Sequence, residues 1–68
     1  MKNYEMIEIF NQEVNIDKNK YNFIIREKWF VGYGRKPKFY TIMRNGETIL
    51  YTSLHQTFYA ERRKLLGK

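Results

Sequence analysis

Arg44-Asn45-Gly46-Glu47 stands between two runs that alternate apolar with polar residues. Asn and Gly tolerate the positive φ that a two-residue turn demands, so Asn-Gly in this setting is the strongest short-range hairpin signal a sequence can carry. A regular ladder closed by that turn pairs Arg44 with Glu47, Ile42 with Ile49 and Tyr40 with Tyr51 on one face. It pairs Met43 with Thr48, Thr41 with Leu50 and Phe39 with Thr52 on the other. Neither face is purely polar. One is therefore expected under a helix, with the other left for a partner or for the N-terminal segment.

The segment that follows supplies the helix. Ser53 and Gln56 are spaced as a capping box, which starts a helix at Leu54. Leu54, Phe58 and Leu65 then form one stripe flanked by Tyr59 and Leu66, and Gly67 sits where a left-handed stop residue belongs. Arg62, Arg63 and Lys64 fall in the last turns, where cations complement the negative end of a helix.

Upstream, Tyr21 to Val31 alternates as a strand, with Tyr21, Phe23, Ile25, Trp29 and Val31 on one side and Asn22, Arg26 and Lys28 among those on the other. Residues 32–38, Gly-Tyr-Gly-Arg-Lys-Pro-Lys, hold two of the glycines and the single proline and read as an exposed loop. Residues 1–17 fit either a helix capped by Asn3 or a strand from Tyr4 to Phe10. The β-branched pair Ile7 and Ile9 favours the strand, with residues 15–20 as the turn that follows.

These readings place strands near 21–31, 38–44 and 47–52 and a helix near 54–66. The fold class is α+β: a small antiparallel sheet of three or four strands with the C-terminal helix packed on one face, in a single domain spanning 1–68. Three antiparallel strands followed by a helix resemble in outline the arm-site DNA-binding domains of some integrases, which insert the sheet into a groove. The likeness is one of architecture, and no residue roles follow from it.

A chain of 68 residues buries only about 60% of the surface its unfolded form exposes, and with no Cys it has no disulfide or thiolate metal site to compensate. Its 18% aromatic content must fill the core instead. Trp29, Phe23, Ile25, Leu54, Phe58 and Leu65 are the residues expected to pack together. A homodimer would bury more.

Charge narrows the partners. Of the net +6, residues 1–17 hold one base and four acids, whereas residues 18–44 hold eight bases against Glu27 alone. A field of this sign attracts polyanions, nucleic acid first, anionic membrane second and acidic proteins third. Aromatics interleaved with these bases could stack on unpaired bases. The candidate nucleic-acid-binding residues are Arg26, Lys28, Tyr33, Arg35, Lys36, Lys38, Tyr40, Arg44 and Arg63.

The inventory for catalysis is thin. His55, the single histidine, stands two residues from Ser53 at a helix start, where a cap and its neighbour explain both. One His and no Cys make no metal cluster, and Gly32-Tyr33-Gly34 leads into a strand rather than into the helix that phosphate-cradling loops require. The sequence thus points away from an enzyme and implies no cofactor. It shows no signal peptide and no apolar run long enough for a membrane, which places the chain in the cytoplasm. The Lys, Asn, Ile and Tyr bias is that of an A/T-rich coding sequence, as in a low-GC bacterium or its phage.

Two functions fit: a small basic nucleic-acid-binding regulatory or accessory protein, of DNA or RNA, or a protein-binding inhibitor or adaptor, for example phage-encoded, acting on a host or defence enzyme.

Overall fold

The protein, represented by a computed structural model that describes residues 3–32, 34 and 36–67, is a four-stranded antiparallel meander with one C-terminal helix. The strands are β1 (Tyr4–Ile16), β2 (Asn19–Phe30), β3 (Lys38–Arg44) and β4 (Glu47–Thr52), and they lie in the sheet in chain order. The helix α1 (His55–Leu66) packs across β3 and β4. The N-terminal segment is a strand along almost its whole length. A 13-residue strand rises about 43 Å, and β1 accordingly sets the long dimension of a 44 × 22 × 15 Å molecule.

Both tight hairpins close through residues with positive φ. Asn45 (φ 50°) and Gly46 (φ 88°) form the turn expected between β3 and β4, and Asp17 (φ 50°) and Lys18 (φ 69°) form an equivalent two-residue turn between β1 and β2. Asn45 also ties the two turns together. Its Oδ1 accepts from the Lys20 amide at 2.8 Å, its own amide donates to the Lys20 carbonyl at 2.7 Å, and its Nδ2 donates to Asn19 Oδ1 at 2.9 Å.

The expected register holds only next to the second turn. Arg44 pairs with Glu47 and Met43 with Thr48, but a bulge at Ile49 shifts the rest, so that Ile42 faces Leu50, Thr41 faces Tyr51 and Tyr40 faces Thr52. One extra residue in a strand reverses every side chain beyond it. Leu50 is thereby turned beneath the helix and Tyr51 away from it. A second bulge, at Ile9, divides β1 in the same way.

Tyr21, Phe23, Ile25, Tyr40, Ile42 and Phe58 form the core, with Val14, Ile16, Leu50 and Leu65 packed against it. Phe58 is the pivot: its ring meets Phe23 edge-on at 6.3 Å and Tyr40 at 5.1 Å. Leu65, two helical turns on, continues the same face. Between them Arg62 lays its guanidinium 5.7 Å from the Phe23 ring centroid and donates to Gln12 Oε1 at 2.8 and 3.1 Å, which anchors the helix to β1.

Three expectations about the core and the helix ends are corrected. Trp29 is 44% exposed and Leu54 more so, because both lie beyond the span of sheet that Phe58 to Leu65 covers. No Ser53 side chain caps the helix. Leu54 occupies the N-cap, and its amide is taken up instead by Thr52 Oγ1 at 3.0 Å. Gly67 ends the helix with φ −82°, not left-handed, its amide donating to the Arg63 carbonyl at 2.8 Å.

Candidate nucleic-acid interface

Strand parity sorts the side chains into two faces. Odd-numbered residues of β2 lie on the helix side; even-numbered ones, from Lys20 to Phe30, lie on the open face of the sheet. Their ladder partners there include Tyr4, Met6, Glu8, Asn11 and Glu13 of β1 and Phe39, Thr41 and Met43 of β3, with Tyr51 of β4 beyond Thr41.

A line of rings with a cation in its middle crosses this face. Phe39 and Tyr51 stack with ring centroids 6.0 Å apart and planes 3° from parallel, and Tyr51 is 60% exposed. The Lys28 ammonium lies 5.4 Å from the Phe39 centroid, 4.3 Å from that of Tyr4 and 5.6 Å from that of Phe30. Tyr4 and Phe30, paired across the ladder, are 5.9 Å apart. Attraction between an ammonium and a ring is worth about 0.5–1 kcal/mol at exposed sites, so three rings hold Lys28 in place and leave its charge on the surface. Arg26, opposite Phe39, adds a second positive charge one step along β2 and makes no ion pair among the described residues.

The β1 margin of the same face is acidic. Glu8 and Glu13 lie there with Asn11 between them, and Asn11 Nδ2 donates to Glu8 Oε2 at 3.4 Å. Among the described residues the positive charge of this face is therefore on β2, and the rings lead from it towards β4. Thr41 lies among them, 4% exposed, and its Oγ1 is buried without a hydrogen-bond partner.

The structure distributes the sequence-derived candidates over both sides of the molecule. Arg26 and Lys28 share the open face. Tyr40, 7% exposed beneath the helix, is a core residue, which corrects its assignment as a stacking ring. Lys36 and Lys38 are on the helix side. The Lys36 ammonium is 4.9 Å from the Trp29 ring centroid, and that of Lys38 is 3.5 Å from Glu27 Oε2. Arg44 flanks the β3–β4 turn, and Arg63 lines a shallow concavity of the helix with Tyr59, Arg62, Leu66 and Gly67. Tyr33 and Arg35 lie outside the described residues. Phe39, Tyr51, Tyr4 and Phe30 were not among the candidates. The alternation of Phe30 with Arg26 and Lys28 along β2 was the available signal; Phe39 needed the β2–β3 register and Tyr51 the bulge.

Glu27 accounts for Lys38. Its carboxylate accepts from Trp29 Nε1 at 2.9 Å and pairs with Lys38, and these partners, the Trp29 hydrogen bond foremost, hold it below its ordinary value of 4.5. A carboxyl lowered on folding stabilises the native state above the unfolded-state value, and that contribution is lost as pH falls through the folded-state value. Glu27→Gln should therefore lower the melting temperature at pH 7 and converge on the native protein in acid, below the folded-state value. A melting-temperature difference that persists unchanged through that range would show that the charge is not what matters.

No group of three or more His, Cys, Asp and Glu among the described residues is placed to hold a metal ion, and no described helix is long and apolar enough to cross a membrane. Comparison with protein-family models, curated proteins and solved structures finds no match to this chain.

Proposed function

We propose that the protein binds nucleic acid on the open face of its sheet, as a small regulatory or accessory factor with no catalytic role. The observation that carries this reading is the juxtaposition of Lys28 and Arg26 with the Phe39–Tyr51 stack on a face the helix leaves uncovered. Lys and Arg neutralise phosphates and release their counterions, while exposed rings offer flat apolar area to bases. A monomer with a solvated open sheet would ordinarily present polar side chains there. Tyr51 instead exposes most of its ring at the margin.

The contact surface differs from residues 26–44 taken as a block, since Lys36, Lys38 and Tyr40 belong to the helix side. Arg63 also lies across the sheet from the open face and contacts the same nucleic acid only if the strand wraps the edge.

Binding should weaken as salt rises, with log affinity falling by about 0.7 per neutralised phosphate on a single strand or about 0.9 on a duplex. Titration of labelled oligonucleotides between 50 and 200 mM salt (on the order of the range over which such losses are read) measures that slope. A protein that binds neither single strands nor duplexes at low salt removes this reading, and the alternative, an inhibitor or adaptor docking on an acidic protein surface, then takes its place.

A further inference from the structure

We infer that the nucleic acid is single-stranded and that an unpaired base stacks on Tyr51; this rests on the reading of the open face as a nucleic-acid interface. Two features of that face distinguish a single strand from a duplex. The first is Tyr51 itself, 60% exposed and held parallel to Phe39 at 6.0 Å. A ring propped by a second ring keeps its orientation without a partner, and an unpaired base can lay its own face against it anywhere along a strand, whereas a duplex offers a free face only at its end pairs, its interior bases having both faces occupied by their neighbours.

The second is the distribution of charge. Glu8 and Glu13 stand along the β1 side of the face, and the bases Arg26 and Lys28 stand on β2. A duplex groove brings two walls of phosphates, one on either side of whatever enters it. Here one wall would lie against the row of acids. A single strand has one backbone, which can track over Arg26 and Lys28 while its bases extend across β3 to Tyr51 on β4.

The test compares the intact protein with Tyr51→Ala, Tyr51→Leu and Tyr51→Phe on three probes of one sequence at one low salt concentration: single-stranded DNA, single-stranded RNA and the blunt DNA duplex. The native protein should bind at least one single strand about tenfold or more tightly than the duplex, and the stronger of the DNA and RNA arms identifies the backbone. Tyr51→Ala should weaken single-strand binding about 5- to 150-fold, the worth of one base stack, with the salt slope unchanged. Tyr51→Leu keeps apolar cover over Phe39 without a flat ring and should lose as much; Tyr51→Phe should bind as the native protein does. Duplex binding as tight as single-strand binding, or single-strand binding unchanged in Tyr51→Leu, overturns the inference and leaves the nucleic-acid reading standing. Failure to bind all three probes overturns both.

Discussion

Phe58→Ala should destabilise the protein by about 3–5 kcal/mol, which is enough to unfold much of a domain of this size at 37 °C. The ring is fully buried and is the one buried residue of α1, so the helix docks through it. Its removal leaves a cavity bounded by Phe23 and Tyr40, side chains held on adjacent strands that cannot collapse inward without distorting the sheet. Domains this small have stabilities near 5 kcal/mol or somewhat above, so the loss is comparable to the whole. Chemical denaturation of the native protein and the variant measures it directly. An unchanged midpoint would mean that α1 contributes nothing to the fold through this residue. Phe58→Leu, which keeps most of the volume, should recover a large part of the loss.

Neutralising Arg26 and Lys28, the open-face cations beside the rings, together should produce the largest change in binding. Each phosphate contact on a single strand contributes a factor of salt concentration to the power of about −0.7, which at ~0.1 M is about fivefold relative to 1 M. Arg26→Gln with Lys28→Gln should therefore weaken binding about 25-fold near 0.1 M salt and reduce the slope of log affinity on log salt by about 1.4. Arg26 makes no ion pair among the described residues, but the three Lys28 ring contacts are worth up to about 1 kcal/mol each, so stability is measured alongside and binding is read at a temperature where both proteins are folded. The same substitutions at Lys36 and Lys38, on the helix side, should leave the slope nearly unchanged. Equal effects from both pairs would show that binding follows net charge rather than the open face.

The contrast between these pairs shows what spacing along a chain cannot convey. Residues 26–44 form one basic block in sequence, yet alternation sends Arg26 and Lys28 to one side and Lys38 to the other, where Glu27 engages it. The interface was half visible for the same reason. Arg26, Lys28 and Phe30 alternate along one strand, so that part follows from β2 alone; Phe39 joins them only through the β2–β3 register, which the Asn45-Gly46 turn between β3 and β4 does not fix. Tyr51 does not follow, because a ladder drawn through that turn without a bulge sets it opposite Tyr40.

Local chemistry determined the elements. The Asn45-Gly46 turn depends on two residues that accept positive φ, the strands on alternation, and the helix on the spacing of Phe58 and Leu65. Each of these is a property of a few neighbouring residues, and each can be read without knowing what lies across the sheet. Tertiary structure decided the rest. The bulge at Ile49 turns Leu50 towards the core and Tyr51 away from it. Nothing within Glu47 to Thr52 demands that bulge, and what it achieves is burial of Leu50 against Ile42 beneath α1. The position of the helix likewise decides that Phe23 is buried and Trp29 is not, although both lie on the same side of β2 and either ring could fill a core. Burial depends on which stretch of sheet a 12-residue helix can cover, and that is set by contacts between segments far apart in the chain, such as Arg62 with Gln12.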